Sequence, residues 1–398
     1  MSFLLGVVIF VLALLISIML HEAGHFLTAK KFHMKVTQFF VGFGQTLWSW
    51  TRGETEYGVK ALPLGGFVKI TGMTALDEVD PADEPRSFRR QPGWQRIIVL
   101  AAGSFMHFVL ALVLLLVLAV GIGLANADTT TIGKVTQCVP ASVTALDHAS
   151  CADSRGVSPA RQAGLRSGDK VISIAGTPVR SWTQLGSVIR KQPAGRAMTV
   201  VVLRAGQRVS LTVTPASIPK RQGSYLGIEN TVIFQRSSPL SALSYAGSTF
   251  GEVLSNSVSA VGKLPSALPD LFAKDRSHTA AGSVTSVVGA ADIAGQAVAA
   301  STGWRYAVSS LLLIVISLNI FIGAFNLLPL LPLDGGHLAV VIFERVRAWL
   351  ARLRGKPDPG LVDMRRLIPV SVGVFALLVG FSLVLIAADI FNPIHLTQ

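Results

Sequence analysis

The sequence predicts a polytopic α-helical membrane protein with about four transmembrane helices, a membrane-associated β-hairpin loop and an extracytoplasmic α+β domain. The chain of 398 residues is 51% hydrophobic and only 14% charged, with a mean hydropathy of +0.55, which is too apolar for an ordinary soluble protein. Its apolar residues gather in four stretches, roughly 3–26, 97–124, 307–331 and 367–390, each as long as the ~20 residues that cross a bilayer. Basic residues cluster after the first and third stretches, from Lys30 to Arg96 and from Arg345 to Arg366. The positive-inside rule puts both clusters in the cytoplasm and both termini outside, so the long segment 125–304 is expected to be extracytoplasmic.

The first stretch lacks a basic n-region and a clear cleavage site, and is read as a retained helix rather than a signal peptide. At its end stands His21-Glu22-Ala23-Gly24-His25. Residues i and i+4 share one helix face, so both imidazoles can hold one Zn²⁺ while Glu22 acts on a water at the metal. Ionisable groups are costly at bilayer depth and are rarely kept there without a partner or a task. A histidine pair that only packs, or that holds a structural metal, is the bland alternative.

Residues 35–73 carry a strand pattern: Val36 to Phe43, Thr46 to Trp50, a turn at Arg52-Gly53-Glu54, then Tyr57 to Lys60 and Leu62 to Val68. Such a segment could hold an extended peptide by strand addition, or could merely pack at the lipid surface. In the segment assigned outside, Thr131–Val135, Val171–Ile174, 177–179, 198–204 and 208–214 read as strands, with a helix at about 181–191. Its two cysteines, Cys138 and Cys151, are the only ones in the chain; an oxidising compartment would allow a disulfide, and two unpaired thiols are the other reading. Ser238–Leu264 has helical spacing and is expected along the outer membrane surface. The net charge of +13 is explained by topology and attraction to anionic lipid; no compact basic and aromatic patch points to nucleic acid.

Catalytic zinc usually has three protein ligands and one open position. A third ligand is offered by Asn326-Leu327-Leu328-Pro329-Leu330-Leu331-Pro332-Leu333-Asp334-Gly335-Gly336-His337, where prolines break the helix and the glycine pair allows a sharp turn. The first and third stretches run in the same direction through the membrane, so Asp334 should reach the depth of His21 and His25. His337 is a rival third ligand.

HEAGH in the first helix, NLLPLLPLDGG in the third and the β-rich domain between the second and third together resemble a site-2 protease of the bacterial regulated intramembrane proteolysis branch. In that domain, Ser158 to Asp169, with PARQAGL, followed by Val171–Ile174 and Ala175–Val179, is similar to the core of bacterial PDZ domains. The resemblance implies that His21, His25 and Asp334 bind Zn²⁺, that Glu22 is the catalytic base, and that Asn326 and Pro329 position the substrate backbone. It implies an intramembrane zinc endopeptidase of the bacterial inner membrane. Its substrates would be single-span, membrane-tethered regulators such as anti-sigma factors, already cut outside the membrane, and its PDZ-like domain would bind a peptide or C-terminus. Two departures stand out. Gly103-Ser104-Phe105-Met106-His107 sits where many members have Gly-Pro-x-x-Asn, so His107 replaces an asparagine, and a loop at about 138–157 is extra.

The expected order is therefore 1–30 first helix, 31–94 β-loop, 95–124 second helix, 125–216 PDZ-like domain and 217–304 post-PDZ region. After these come 305–337 third helix with its NxxPxxxLDG motif, 338–364 basic cytoplasmic loop, and 365–398 fourth helix and tail. Two other readings of the same residues are a non-enzymatic PDZ-containing scaffold with a structural metal, and a membrane zinc protease of quality-control type.

Overall fold

A computed structural model describes residues 2–73, 77–141, 151, 154, 156–218, 223–273, 276, 284–300 and 303–394. Much of the extra loop expected at 138–157, with residues 75–76, 282–283 and 395–398 of other expected segments, lies outside the described residues. The chain forms two compact units, Met1–Ile122 with Ser237–Gln398, and Gly123–Arg236.

The first unit contains α1 (Ser2–Lys31), the hairpin β1 (Val36–Arg52) and β2 (Thr55–Ile70), and α2 (Gly93–Leu116), which is prolonged by a π-helical turn to Ile122. Four helical segments, Ser2–Lys31, Gly93–Ile122, Trp304–Asn326 and Met364–Phe391, are long and apolar enough to cross a membrane, and they coincide with the four stretches read from the sequence. Side chains such as Leu4, Leu12 and Phe105 stay exposed on them, an arrangement that water would penalise and lipid accepts. The helices close on one another through glycines. A Cβ on Gly24 would lie 2.6 Å from the Ala102 carbonyl oxygen, so α1 and α2 approach nearly backbone to backbone at the HEAGH turn.

The hairpin turns at Gly53-Glu54, with Gly53 in the left-handed region at φ +65°. Bulges fold it back on itself, so that residues 38–41 face 66–69 on one side and 56–59 on the other. Phe40 is buried and stacks on Phe67 at 5.6 Å, whereas Leu47, Trp48 and Trp50 are exposed. The turn is tied to the end of α1: Glu54 accepts hydrogen bonds from Lys30 at 2.7 Å and from both Arg86 terminal nitrogens at 2.8 Å.

The second unit contains β3 (Leu124–Asn126), β4 (Ile132–Val135), α3 (Pro159–Gln162), β5 (Lys170–Ile174), β6 (Thr177–Pro178), α4 (Trp182–Lys191), β7 (Met198–Arg204) and β8 (Gln207–Val213). These match the strands and helix expected from the sequence. β6, β5, β7 and β8 form one antiparallel sheet in that order, and Ile132, Ile174, Leu185 and Val202 meet in its core. Alternating burial along β7 explains its register, since Met198, Val200 and Val202 face the core. The unit extends beyond 216, because β9 (Ala216–Ser217) pairs with β10 (Ser224–Tyr225), β11 (Ile228–Asn230) with β4, and β12 (Ile233–Gln235) with β3. Cys138 and Cys151 are joined by a disulfide.

The chain returns to the first unit with α5 (Pro239–Ala267), whose N-cap Ser238 accepts from the Ser241 N–H. It packs against α2 and α7 (Trp304–Asn326), with Phe250 edge-on to Phe108 at 5.5 Å. A short apolar helix, α6 (Val287–Ala299), lies against α1, where a Cβ on Gly6 would meet the Ala294 carbonyl at 2.7 Å. After α7 come α8 (Asp334–Leu353) and α9 (Ile368–Phe391). The connection 338–364 is thus helical over its first half. The glycine pair Gly335-Gly336 does not make the sharp turn expected of it. Both residues are helical, and their missing side chains let α8 press on the preceding turn, where a Cβ on Gly335 would sit 2.2 Å from the Leu328 carbonyl.

Candidate metal centre

One face of α1 presents His21 and His25, and the first residue of α8 presents Asp334. His21 Nε2 lies 3.2 Å from His25 Nε2, and Asp334 Oδ2 lies 3.2 and 3.3 Å from the two nitrogens. A tetrahedral zinc with bonds of about 2.0–2.1 Å sets neighbouring ligand atoms about 3.3–3.4 Å apart, so the triangle has the edge that ion requires. The donor chemistry agrees. His25 Nδ1 donates to the Val99 carbonyl at 2.7 Å, which leaves its Nε2 as a lone pair pointing into the triangle. Among the described residues no other three His, Cys, Asp or Glu side chains converge in this way. His337, the rival ligand, lies outside the triangle and lines a cavity of about 260 Å³ with Arg96, Glu344 and Phe88.

The triangle is compact because α2 crosses it at Gly103. A Cβ there would stand 2.4 Å from His25 Nε2 and 2.5 Å from His21 Cε1, so only hydrogen fits behind the two rings. Glu22 turns toward β2. Its Cγ lies 3.6 Å from the Cβ position of Gly66. The side chain next to His21 thus lies against the end of β2.

Asn326 closes α7, and Pro329 is exposed in the turn that follows, lining a groove with Leu331, Phe343 and the first turns of α9. Among the described residues neither makes a hydrogen bond to His21, Glu22, His25 or Asp334. Sequence reasoning left His107 without a partner; the structure gives it Asn319, on α7, at 2.8 Å. The pairing had no signal in the chain, because the two residues lie 212 positions apart.

A helical membrane scaffold that brings a buried HExxH pair to a carboxylate defines a class, the metal-dependent hydrolases of membranes. The comparisons with known proteins give the particular family. Residues 9–356 match the model of peptidase family M50. The zinc metalloprotease Rip1 of Mycobacterium tuberculosis is 39% identical over 419 residues, covering 100% of both chains. The Rip1 of Mycolicibacterium smegmatis is 36% identical over 420 residues, again covering 100% of both. A putative zinc metalloprotease of Fusobacterium nucleatum is 30% identical over 347 residues, 87% of this chain and 89% of its own. The chain belongs to peptidase family M50, the site-2 proteases, and is a multi-pass membrane zinc metalloprotease.

Proposed function

We propose that His21, His25 and Asp334 hold the catalytic zinc, that Glu22 is the general base, and that the enzyme cuts a single-span membrane protein within its transmembrane segment. The observation that carries this reading is the 3.2–3.3 Å triangle of donor atoms, with the adjacent Glu22 side chain against Gly66 of β2. Held by these three residues, zinc would supply Lewis acidity to the scissile carbonyl and to the attacking water. Glu22 accepts the proton of that water and delivers it to the leaving amine, within reach of both events because it is adjacent to the ligands. A substrate helix hides its carbonyls in internal hydrogen bonds, so it must unwind before hydrolysis. Residues 66–70 offer backbone groups to which an unwound segment can add as a strand, which would draw it past Glu22. Asn326 and Pro329, at the end of α7, would hold the backbone on the other side.

The finer assignments rest on the same topology. The basic segments that follow the helices carrying the centre support a position near the cytoplasmic face of a bacterial inner membrane, with the unit Gly123–Arg236 outside. The order of strands and helices in that unit supports a PDZ-like domain that takes a peptide or C-terminus. Membrane-tethered regulators of the anti-sigma class, shortened outside the membrane beforehand, suit a protease whose substrate must enter sideways.

The test is cleavage in detergent or liposomes of a tagged single-span anti-sigma factor from the same cell, with and without its ectodomain, and mapping of the products by mass spectrometry. A cut inside the transmembrane segment of the shortened substrate is expected. A cut confined to soluble loops or unfolded proteins would favour a quality-control protease instead.

A further inference from the structure

Three helices place further polar side chains in apolar surroundings beside the metal triangle: Ser17 on α1, His107 on α2 and Asn319 on α7, exposed by 1%, 2% and 0%. Each would cost several kcal/mol in a bilayer if left unsatisfied. They satisfy one another in a chain whose polarity is fixed. Asn319 Nδ2 lies 2.8 Å from the Val315 carbonyl, which can only accept, so the amide nitrogen must face it. The same nitrogen donates to Ser17 Oγ at 3.0 Å, and Ser17 passes its own hydroxyl proton to the Ala13 carbonyl at 2.8 Å. Asn319 Oδ1 is therefore the atom turned to His107 Nδ1, 2.8 Å away, and an oxygen facing a ring nitrogen requires the proton to be on that nitrogen. His107 Nε2 is left with a lone pair.

His21 has the complementary need. Its Nε2 faces the metal triangle, so its Nδ1 carries the proton, yet Nδ1 is buried and has no hydrogen-bond partner. Histidines that bind metals almost always donate this second N–H to an acceptor that fixes the ring. The His107 ring lies 5.0 Å from the His21 ring, centroid to centroid. Two imidazoles joined by an N–H···N bond have centroids about 5 Å apart, counting ~2.9 Å for the bond and a little over 1 Å for each ring.

We infer that His107 is the positioning partner of His21 in the zinc-loaded enzyme: its Nε2 then accepts the His21 Nδ1–H, and the Ser17–Asn319–His107 chain orients the first zinc ligand from three helices. The inference rests on the zinc-ligand assignment above. It gives the histidine that replaces an asparagine in this chain a role in holding the metal rather than in touching substrate. Ser104, the next residue after Gly103, has a buried hydroxyl without a partner and is the rival acceptor.

The experiment measures the zinc dissociation constant of the full chain in detergent by competition with a chromophoric chelator, and the d–d absorption of the cobalt-loaded protein. His107→Leu is expected to weaken zinc binding by about 10–100-fold and to shift the cobalt bands, as loss of such a partner does elsewhere. His107→Gln, which keeps an acceptor oxygen, should restore most of the affinity, and Ser104→Ala should leave it unchanged. Wild-type affinity in His107→Leu, with binding lost in His21→Ala, overturns the inference; zinc retained at full affinity in His21→Ala overturns the ligand assignment instead. A purely packing role would lower the metal-free melting temperature of His107→Leu with the zinc constant of the folded protein unaltered, and that also overturns the inference. If His107→Leu does not fold, Asn319→Leu carries the test, because it frees the His107 tautomer without touching His21: weakened zinc binding supports the inference and an unchanged constant overturns it.

Discussion

Gly103→Ala tests the metal centre through a single methyl group. The new Cβ would lie 2.4 Å from His25 Nε2, 2.5 Å from His21 Cε1 and 2.7 Å from His21 Nδ1, against the about 3.5–4.0 Å at which such atoms rest. Relief requires the rings, or α2, to move by about 1 Å, whereas zinc sites tolerate about 0.2 Å in their bond lengths. Withdrawal of α2 would open its close packing on α1, where Gly24 brings the two backbones near contact. Overpacking of this kind costs about 1–3 kcal/mol. At about 1.4 kcal/mol per factor of ten, this corresponds to zinc binding weakened by about 5–150-fold. Helix propensity works the other way and favours alanine by about 0.8–1.0 kcal/mol, so the metal-free helices should persist. The assay is chelator competition for zinc together with substrate cleavage. The control is Gly121→Ala, whose Cβ would meet nothing within 4 Å. Wild-type zinc affinity and cleavage in Gly103→Ala would refute the packing argument.

Asp334→Asn should lower zinc below one equivalent while His337→Ala retains it, measured by metal analysis after dialysis, since Asp334 belongs to the triangle and His337 does not. Asp389→Ala should destabilise the protein by about 3–5 kcal/mol in detergent unfolding, because it removes the carboxylate that pairs with the buried Arg276 guanidinium at 2.8 Å. Asp358→Ala, at an exposed pair 3.9 Å from Arg352, should change stability by no more than ~0.5 kcal/mol. Glu54→Gln should loosen the hairpin from α1 by about 0.5–1 kcal/mol, read as faster proteolysis near Gly53. The Arg86 guanidinium, with Lys30 beside it, holds the Glu54 carboxyl at about 2 instead of 4.5. The wild-type advantage over Glu54→Gln is therefore full above pH 4.5 and fades as the pH falls toward 2; an advantage that grows on acidification would contradict the assignment.

Features written locally in the chain were legible. The i, i+4 histidines, the four apolar runs, the Gly53 turn and the alternation in β7 depend on neighbours a few residues away. The expectation that Asp334 meets His21 and His25 came from helix direction alone, and the structure brings their donor atoms within 3.3 Å. What escaped depends on partners distant in sequence. Arg96 pairs with Glu344 across 248 positions and Arg276 with Asp389 across 113, and nothing near either residue announces the other. Gly335 and Gly336 were misread because a glycine needed for close packing and one needed for a turn look the same in a sequence. Gly103 was noticed only as part of a motif, since its task is set by two rings on another helix. The compact unit ran past residue 216 because β11 and β12 are three-residue strands that only pairing with β4 and β3 identifies.

The central claim is that Glu22 does chemistry at a zinc it does not hold. Glu22→Gln keeps the shape of the side chain and removes its basicity, so the decisive measurement is zinc content and cleavage of a shortened single-span substrate in this variant beside wild type. One zinc per chain with cleavage abolished is the predicted result. Equal cleavage by both proteins would contradict the account.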